Sequence, residues 1–202
     1  MKRRALIAAG LALSLLACDR WDPLPKPAAA PSTPSSWEVR FSPKGGCTEA
    51  VVDALHAAKS TVLVQAYSFT SAPIAAALVD AHRRGVKVQV ILDKSQRTEK
   101  YSSADFVAHA GIRTLIDDTH AIAHNKVMVI DSGTILTGSF NFTRAAEEKN
   151  AENLLVIQDA ALAEKYAANW RAHAQHSDLY AGRGTESGTP LLKPLPDGAD
   201  DK

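Results

Sequence analysis

Only two cysteines, Cys18 and Cys47, occur in the 202 residues. That excludes a disulfide framework and a cysteine-built zinc site. An excess of charge is also lacking, since 23 Lys and Arg stand against 22 Asp and Glu. A strong nucleic-acid binder normally carries a basic surplus, so any phosphate affinity must come from a local cluster of side chains. No apolar run is long enough to span a bilayer comfortably; the longest covers residues 5–17. No internal repeat is visible. Hydrophobic residues nevertheless make up 46% and charged residues 22%, which suits one ordinary domain with a real core.

The first 18 residues read as a targeting segment. Lys2, Arg3 and Arg4 form a basic start, no acid precedes Asp19, and the apolar run ends at Cys18. Leu15, Leu16, Ala17 and Cys18 resemble the lipobox of bacterial lipoproteins, which implies lipidation of Cys18 after cleavage. Simple cleavage near Ala17 without a lipid is the alternative. Without the first three basic residues the chain has 20 basic against 22 acidic residues, a net of −2. Residues 19–36 are rich in Pro, Ala and Ser and read as an extended linker. Residues 182–202 are rich in Gly, Pro and polar residues and read as a disordered tail. The folded domain is expected over residues 37–181, outside the cytoplasm and tethered to a membrane if Cys18 is lipidated.

Within that domain, stretches of β-rich sequence alternate with amphipathic ones. Strands are expected over residues 37–41, 61–69, 86–92, 112–116, 125–130, 134–137 and 153–158. Helices are expected over residues 49–59, capped by Thr48, then 71–84, 102–109 and 160–176. This alternation predicts an α/β fold, a sheet between helices on both faces. The late strands are close in sequence, so part of the sheet should be antiparallel, making it mixed. Cys47 reads as a small buried residue and Trp170 as core or interface packing.

The chemistry concentrates in residues 124–141. His124, Lys126 and Asp131 are followed by Gly138, Ser139 and Asn141, with Glu152 eleven residues further on. On a strand His124 and Lys126 face the same way. One is an imidazole able to change charge near neutrality, the other a fixed cation suited to a phosphate oxygen. Ser139 follows a glycine, and Asn141 adds amide donors. Together they make a phosphate cradle. No carboxylate cluster suggests a two-metal site and no Cys/His pattern suggests zinc, so no cofactor is expected.

These residues, at these spacings, resemble the phospholipase D superfamily, and Glu152 and Tyr67-Ser68-Phe69 resemble its small bacterial nucleases. The resemblance runs from about residue 41 to 170. It implies the phospholipase D/nuclease fold and a catalytic set of His124, Lys126, Ser139, Asn141 and Glu152. His124 would attack phosphorus and form a phosphohistidine, Glu152 would orient a catalytic imidazole, and the others would stabilise charge on the phosphate oxygens. Asp131 reads as structural. Two histidines are needed, and the chain has one motif, so a homodimer with a shared site is expected. Nucleic acid is the expected substrate. A phospholipase and a non-enzymatic binder of phosphorylated envelope ligands are the rivals.

The remaining histidines, 56, 82, 109, 120, 173 and 176, read as ordinary surface or core residues. Arg83, Arg84 and Lys87 read as a solvated helix end, and Glu147, Glu148 and Lys149 as a solvated loop.

Overall fold

A computed structural model describes residues 36–184. The targeting segment, all but the last residue of the linker, and the tail beyond residue 184 lie outside the described residues. Eight strands form one sheet in the order β1-β7-β6-β5-β2-β3-β4-β8. They are β1 (Ser36–Ser42), β2 (Thr61–Ala66), β3 (Lys87–Asp93), β4 (Arg113–Asp117), β5 (Lys126–Ile130), β6 (Thr134–Gly138), β7 (Glu152–Gln158) and β8 (Asp178–Tyr180). The helices are α1 (Cys47–Ala57), α2 (Ala72–Arg83), α3 (Ala104–His109), α4 (Arg144–Glu148) and α5 (Ala160–Ala174). β2, β3 and β4 run parallel through the helical crossovers; every other pairing is antiparallel. The mixed α/β sheet expected from the sequence is what forms.

Side-chain alternation along the strands builds two cores. Val62, Val64, Met128 and Ile130 pack under α1, α2 and α3, with Val51, Leu55, Ile74, Leu78 and Val107. The intervening residues Leu63, Val127 and Val129 pack on the other face against Ala163, Ala167 and Trp170 of α5. Trp170 is buried and its indole N–H donates to the Val64 carbonyl at 2.9 Å. That ties α5 to the central strand without leaving the indole donor unpaired.

Several sequence expectations are corrected. α1 is not capped by Thr48. It begins after Gly46, which sits in the left-handed region (φ 79°). The Glu147 carboxylate, about a hundred residues on, accepts from the amides of Gly46 (3.1 Å) and Thr48 (2.7 Å). Residues 147–149 are therefore no solvated loop: Glu147 belongs to α4 and neutralises the N-terminus of another helix. Arg84 is not a free helix end either, since its guanidinium donates to the carbonyls of Leu55 (2.9 Å) and His56 (3.2 Å), the open C-terminus of α1. Cys47 is fully buried at the start of α1, and burial, reinforced by the Glu147 charge, pushes its thiol up to about 11. Strand β8 was not anticipated. Beyond it, Arg183 donates its amide and side chain to Asp105, which also accepts from the Tyr180 hydroxyl (2.7 Å).

Candidate active site

The motif residues meet where β5 begins and β6 ends. Lys126 opens β5 opposite Ala66, the last residue of β2, and the Tyr67 amide donates to the Asn125 carbonyl (3.0 Å), extending the ladder one step. β6 pairs with β5 so that Val127 faces Thr137. Continuing that register sets Ser139 opposite Asn125, between His124 and Lys126 in sequence. The antiparallel hairpin thus brings the two halves of the motif to one end of the sheet.

His124 lies just before β5 and is exposed. Its ring stands 4.6 Å, centroid to centroid, from that of Tyr67. The Lys126 ammonium sits 5.0 Å from the same Tyr67 ring and donates to the His124 carbonyl at 2.8 Å. Tyr67 is therefore a shared wall for both groups, meeting the imidazole at a tilt of 49° and the cation by its π system. Lys126 is buried (7% exposed), and burial lowers its proton affinity while the nearby Glu152 carboxylate opposes that effect. Glu152 itself accepts from the Asn150 side-chain amide at 3.1 Å.

Ser139 is exposed, and its hydroxyl oxygen accepts from the Asn153 amide (3.1 Å) and side-chain amide (3.3 Å). With both lone pairs engaged, its hydrogen remains to donate outward. Gly138 allows this approach: it has φ 149°, and a Cβ there would lie 2.3 Å from the Asn153 carbonyl. Asn141 is half-buried between Phe140 and Phe142, and its Oδ1 is buried with no hydrogen-bond partner among the described residues.

Asp131 stands at the far end of β5. Its carboxylate accepts from the amides of Lys59 (2.8 Å), Ser60 (2.7 Å) and Thr61 (2.9 Å) and from the Ser60 hydroxyl (2.8 Å). Burial alone would raise its pKa, but these bonds hold it below the usual carboxylate range. It anchors the turn into β2 and stays clear of His124, in keeping with a structural role.

Sequence reasoning missed two features. One is the support of the motif from outside its fixed spacing: Asn153 donates to Ser139, and Tyr67, legible beforehand only as part of the resemblance, flanks both His124 and Lys126. The other is a second cluster: His120, His173 and His176 surround the buried carboxylate of Asp117. These histidines are not ordinary surface residues. The faint signal was two pairs at three-residue spacing, Asp117/His120 and His173/His176, separated by more than fifty residues.

An exposed imidazole, a buried lysine and hydroxyl and amide groups thus meet at one end of a mixed sheet, an arrangement with the donors to hold an anion. The family model described as "Cardiolipin synthase, PLD-like domain" matches residues 51–173, and the chain belongs to the phospholipase D superfamily. It is 45% identical over 130 residues to the phospholipase D of Rickettsia bellii, covering 64% of this chain and 65% of that protein. The chain thus matches a little under two thirds of that relative's length. It is 35% identical over 111 residues to the mitochondrial cardiolipin hydrolase of Chlamydomonas reinhardtii, covering 55% of this chain and 50% of that one. Among solved structures it resembles Nuc of Salmonella typhimurium, a phospholipase D family member. That match has 38% identity and a TM-score of 0.70, over 72% of this chain and 98% of that one.

Proposed function

We propose that this chain is a metal-independent phosphodiesterase, an endonuclease of low sequence specificity that works as a homodimer through a phosphohistidine. The observation that carries the reading is exposed His124 and buried Lys126 side by side against Tyr67. The cation is desolvated and fixed, so it acts strongly on an incoming phosphate, while the nucleophile beside it is open to a polymer lying across the sheet edge. The likeness to Nuc over nearly all of that compact chain supports a small-domain enzyme of this kind.

In the proposed reaction a His124 ring nitrogen attacks phosphorus and forms a P–N bond. The bond from phosphorus to the leaving oxygen breaks, and the partner's His124 gives that oxygen a proton. A water then attacks phosphorus of the phosphohistidine, gives its proton back to the partner's His124, and breaks the P–N bond to release the nucleophilic His124. Lys126, the Ser139 hydroxyl and the Asn141 amide bind the non-bridging oxygens. Glu152 steadies the charge on Lys126 and orients an imidazole. The exposed side chain of Ile122, two residues before His124, suits a contact across the dimer axis. Export to the periplasm, with a tether at a lipidated Cys18, is part of the same proposal.

Hydrolysis of phospholipid is the second reading, favoured by the relatives named phospholipase D and cardiolipin hydrolase. The deciding experiment incubates the chain with plasmid DNA, RNA and phospholipid vesicles in EDTA, beside His124→Ala. Nucleic-acid cleavage that survives EDTA and is lost in the variant is expected. Head-group release with nucleic acid intact would replace the nuclease by a phospholipase. Inactivity on all three would favour a binding protein.

A further inference from the structure

We propose that Asp117, His120, His173 and His176 form a binding site for a single zinc-class divalent ion, separate from the phosphate cradle. Asp117 ends β4, His120 lies in the following loop, His173 is in the last turn of α5, and His176 precedes β8. Two stretches of chain more than fifty residues apart converge on one carboxylate that is fully buried. One Asp117 oxygen, Oδ2, lies 3.0 Å from His120 Nδ1, 2.8 Å from His173 Nδ1 and 3.4 Å from His176 Nε2. All four ligand atoms fall within 4.8 Å of one another. A zinc tetrahedron with bonds of ~2.0–2.1 Å has edges of roughly 3.4 Å, so little rearrangement would seat the ion.

The donor chemistry selects the ion. Three imidazoles and one carboxylate suit zinc and its neighbours, whereas magnesium and calcium prefer all-oxygen sets. Four protein ligands leave no open position, as in structural rather than catalytic sites. The three rings lie 4.9, 5.2 and 5.3 Å apart, arranged about a common point. The backbone behind two of them is also held. Lys94 Nζ donates to the His120 carbonyl (2.9 Å) and the Ser177 hydroxyl to the His173 carbonyl (2.8 Å). His120 and His176 are partly exposed, which gives an ion access.

The placement suggests a purpose. β4 and β5 lie three strand spacings apart, about 14 Å, so the ion would not touch the cradle directly. It would instead clamp the loop that leads from β4 to His124 onto the end of α5. The same arrangement without metal is a carboxylate accepting hydrogen bonds from three imidazoles, and the experiment must separate the two.

The test uses the full chain without a polyhistidine tag, stripped with chelator and titrated with zinc by calorimetry, with bound metal counted by mass spectrometry. One equivalent per chain and a rise in thermal midpoint are expected. Cobalt should give the intense visible d–d bands of a tetrahedral site. His173→Ala and the more exposed His176→Gln should each weaken zinc at least about 100-fold, beyond the 10–100-fold typical of outer partners. His124→Ala should bind as the parent does. No zinc uptake, or octahedral cobalt, would overturn the site without any need for the variants to fold. Loss of binding in His124→Ala would also overturn it, by moving the ion to the cradle.

Discussion

Replacing Asp131 with Asn should cost stability and leave chemistry nearly intact, although this carboxylate is part of the motif. Its oxygens accept four hydrogen bonds from residues 59–61. Hydrogen bonds to a charged group contribute roughly 1.5–3 kcal/mol each when well buried. Lys59 and Ser60 are exposed, so water recovers much of that here. Asn keeps one acceptor oxygen and tolerates the left-handed backbone that Asp131 adopts (φ 50°). The net loss should be about 1–2 kcal/mol, a fall of roughly 3–6 °C in Tm for a domain of this size. Asp131→Ala loses every acceptor and fits that backbone less well, so about 3 kcal/mol is expected.

The catalytic effect should be small because Asp131 is five residues along the strand from Lys126, roughly 17 Å. The folded-state pKa of Asp131 is depressed, so its contribution is present above the unfolded value of about 3.9 and is lost as pH falls through the folded value. The gap between parent and Asn variant should be level from pH 5 to 8 and close below about pH 4. Urea denaturation across pH, with kcat on an activated phosphodiester at 25 °C, measures both. An unchanged urea midpoint together with a kcat lowered a thousandfold would refute the reasoning and place Asp131 in the chemistry.

Other substitutions probe the supports of the site. Glu147→Ala removes the acceptor at the start of α1 and should cost about 1–2 kcal/mol in urea, with kcat retained. Gly138→Ala drives a Cβ into the Asn153 carbonyl; a loss of about 1–3 kcal/mol should come with reduced kcat, because Asn153 also holds Ser139. Trp170→Phe loses the indole bond to Val64 and some packing, so about 1–3 kcal/mol is expected with KM unchanged.

Much of the fold was legible because its signals are local. The alternation of Val62, Leu63 and Val64, or of Val127, Met128 and Val129, declares a strand buried on both faces wherever it sits. The apolar spacing of α2 and α5 likewise belongs to the helices themselves. The short pieces were illegible for the opposite reason. α4 and β8 have five and three residues, too few for a period, and they form because a docked domain surface receives them. The cap of α1 was misread because Glu147 reaches it from a distant part of the chain.

The candidate site divides in the same way. The sequence by itself determined the spacing of His124, Lys126, Ser139 and Asn141. The two-residue spacing sets the first pair at the start of one strand, and a tight turn returns the second pair beside them. Only the tertiary structure decided that Tyr67 stands beside both imidazole and ammonium, that Asn153 donates to the Ser139 hydroxyl oxygen, and that Lys126 is buried. It alone brought His173 and His176 to Asp117 and His120. Such contacts depend on which sheet edge meets which helix end, and no spacing along the chain encodes that.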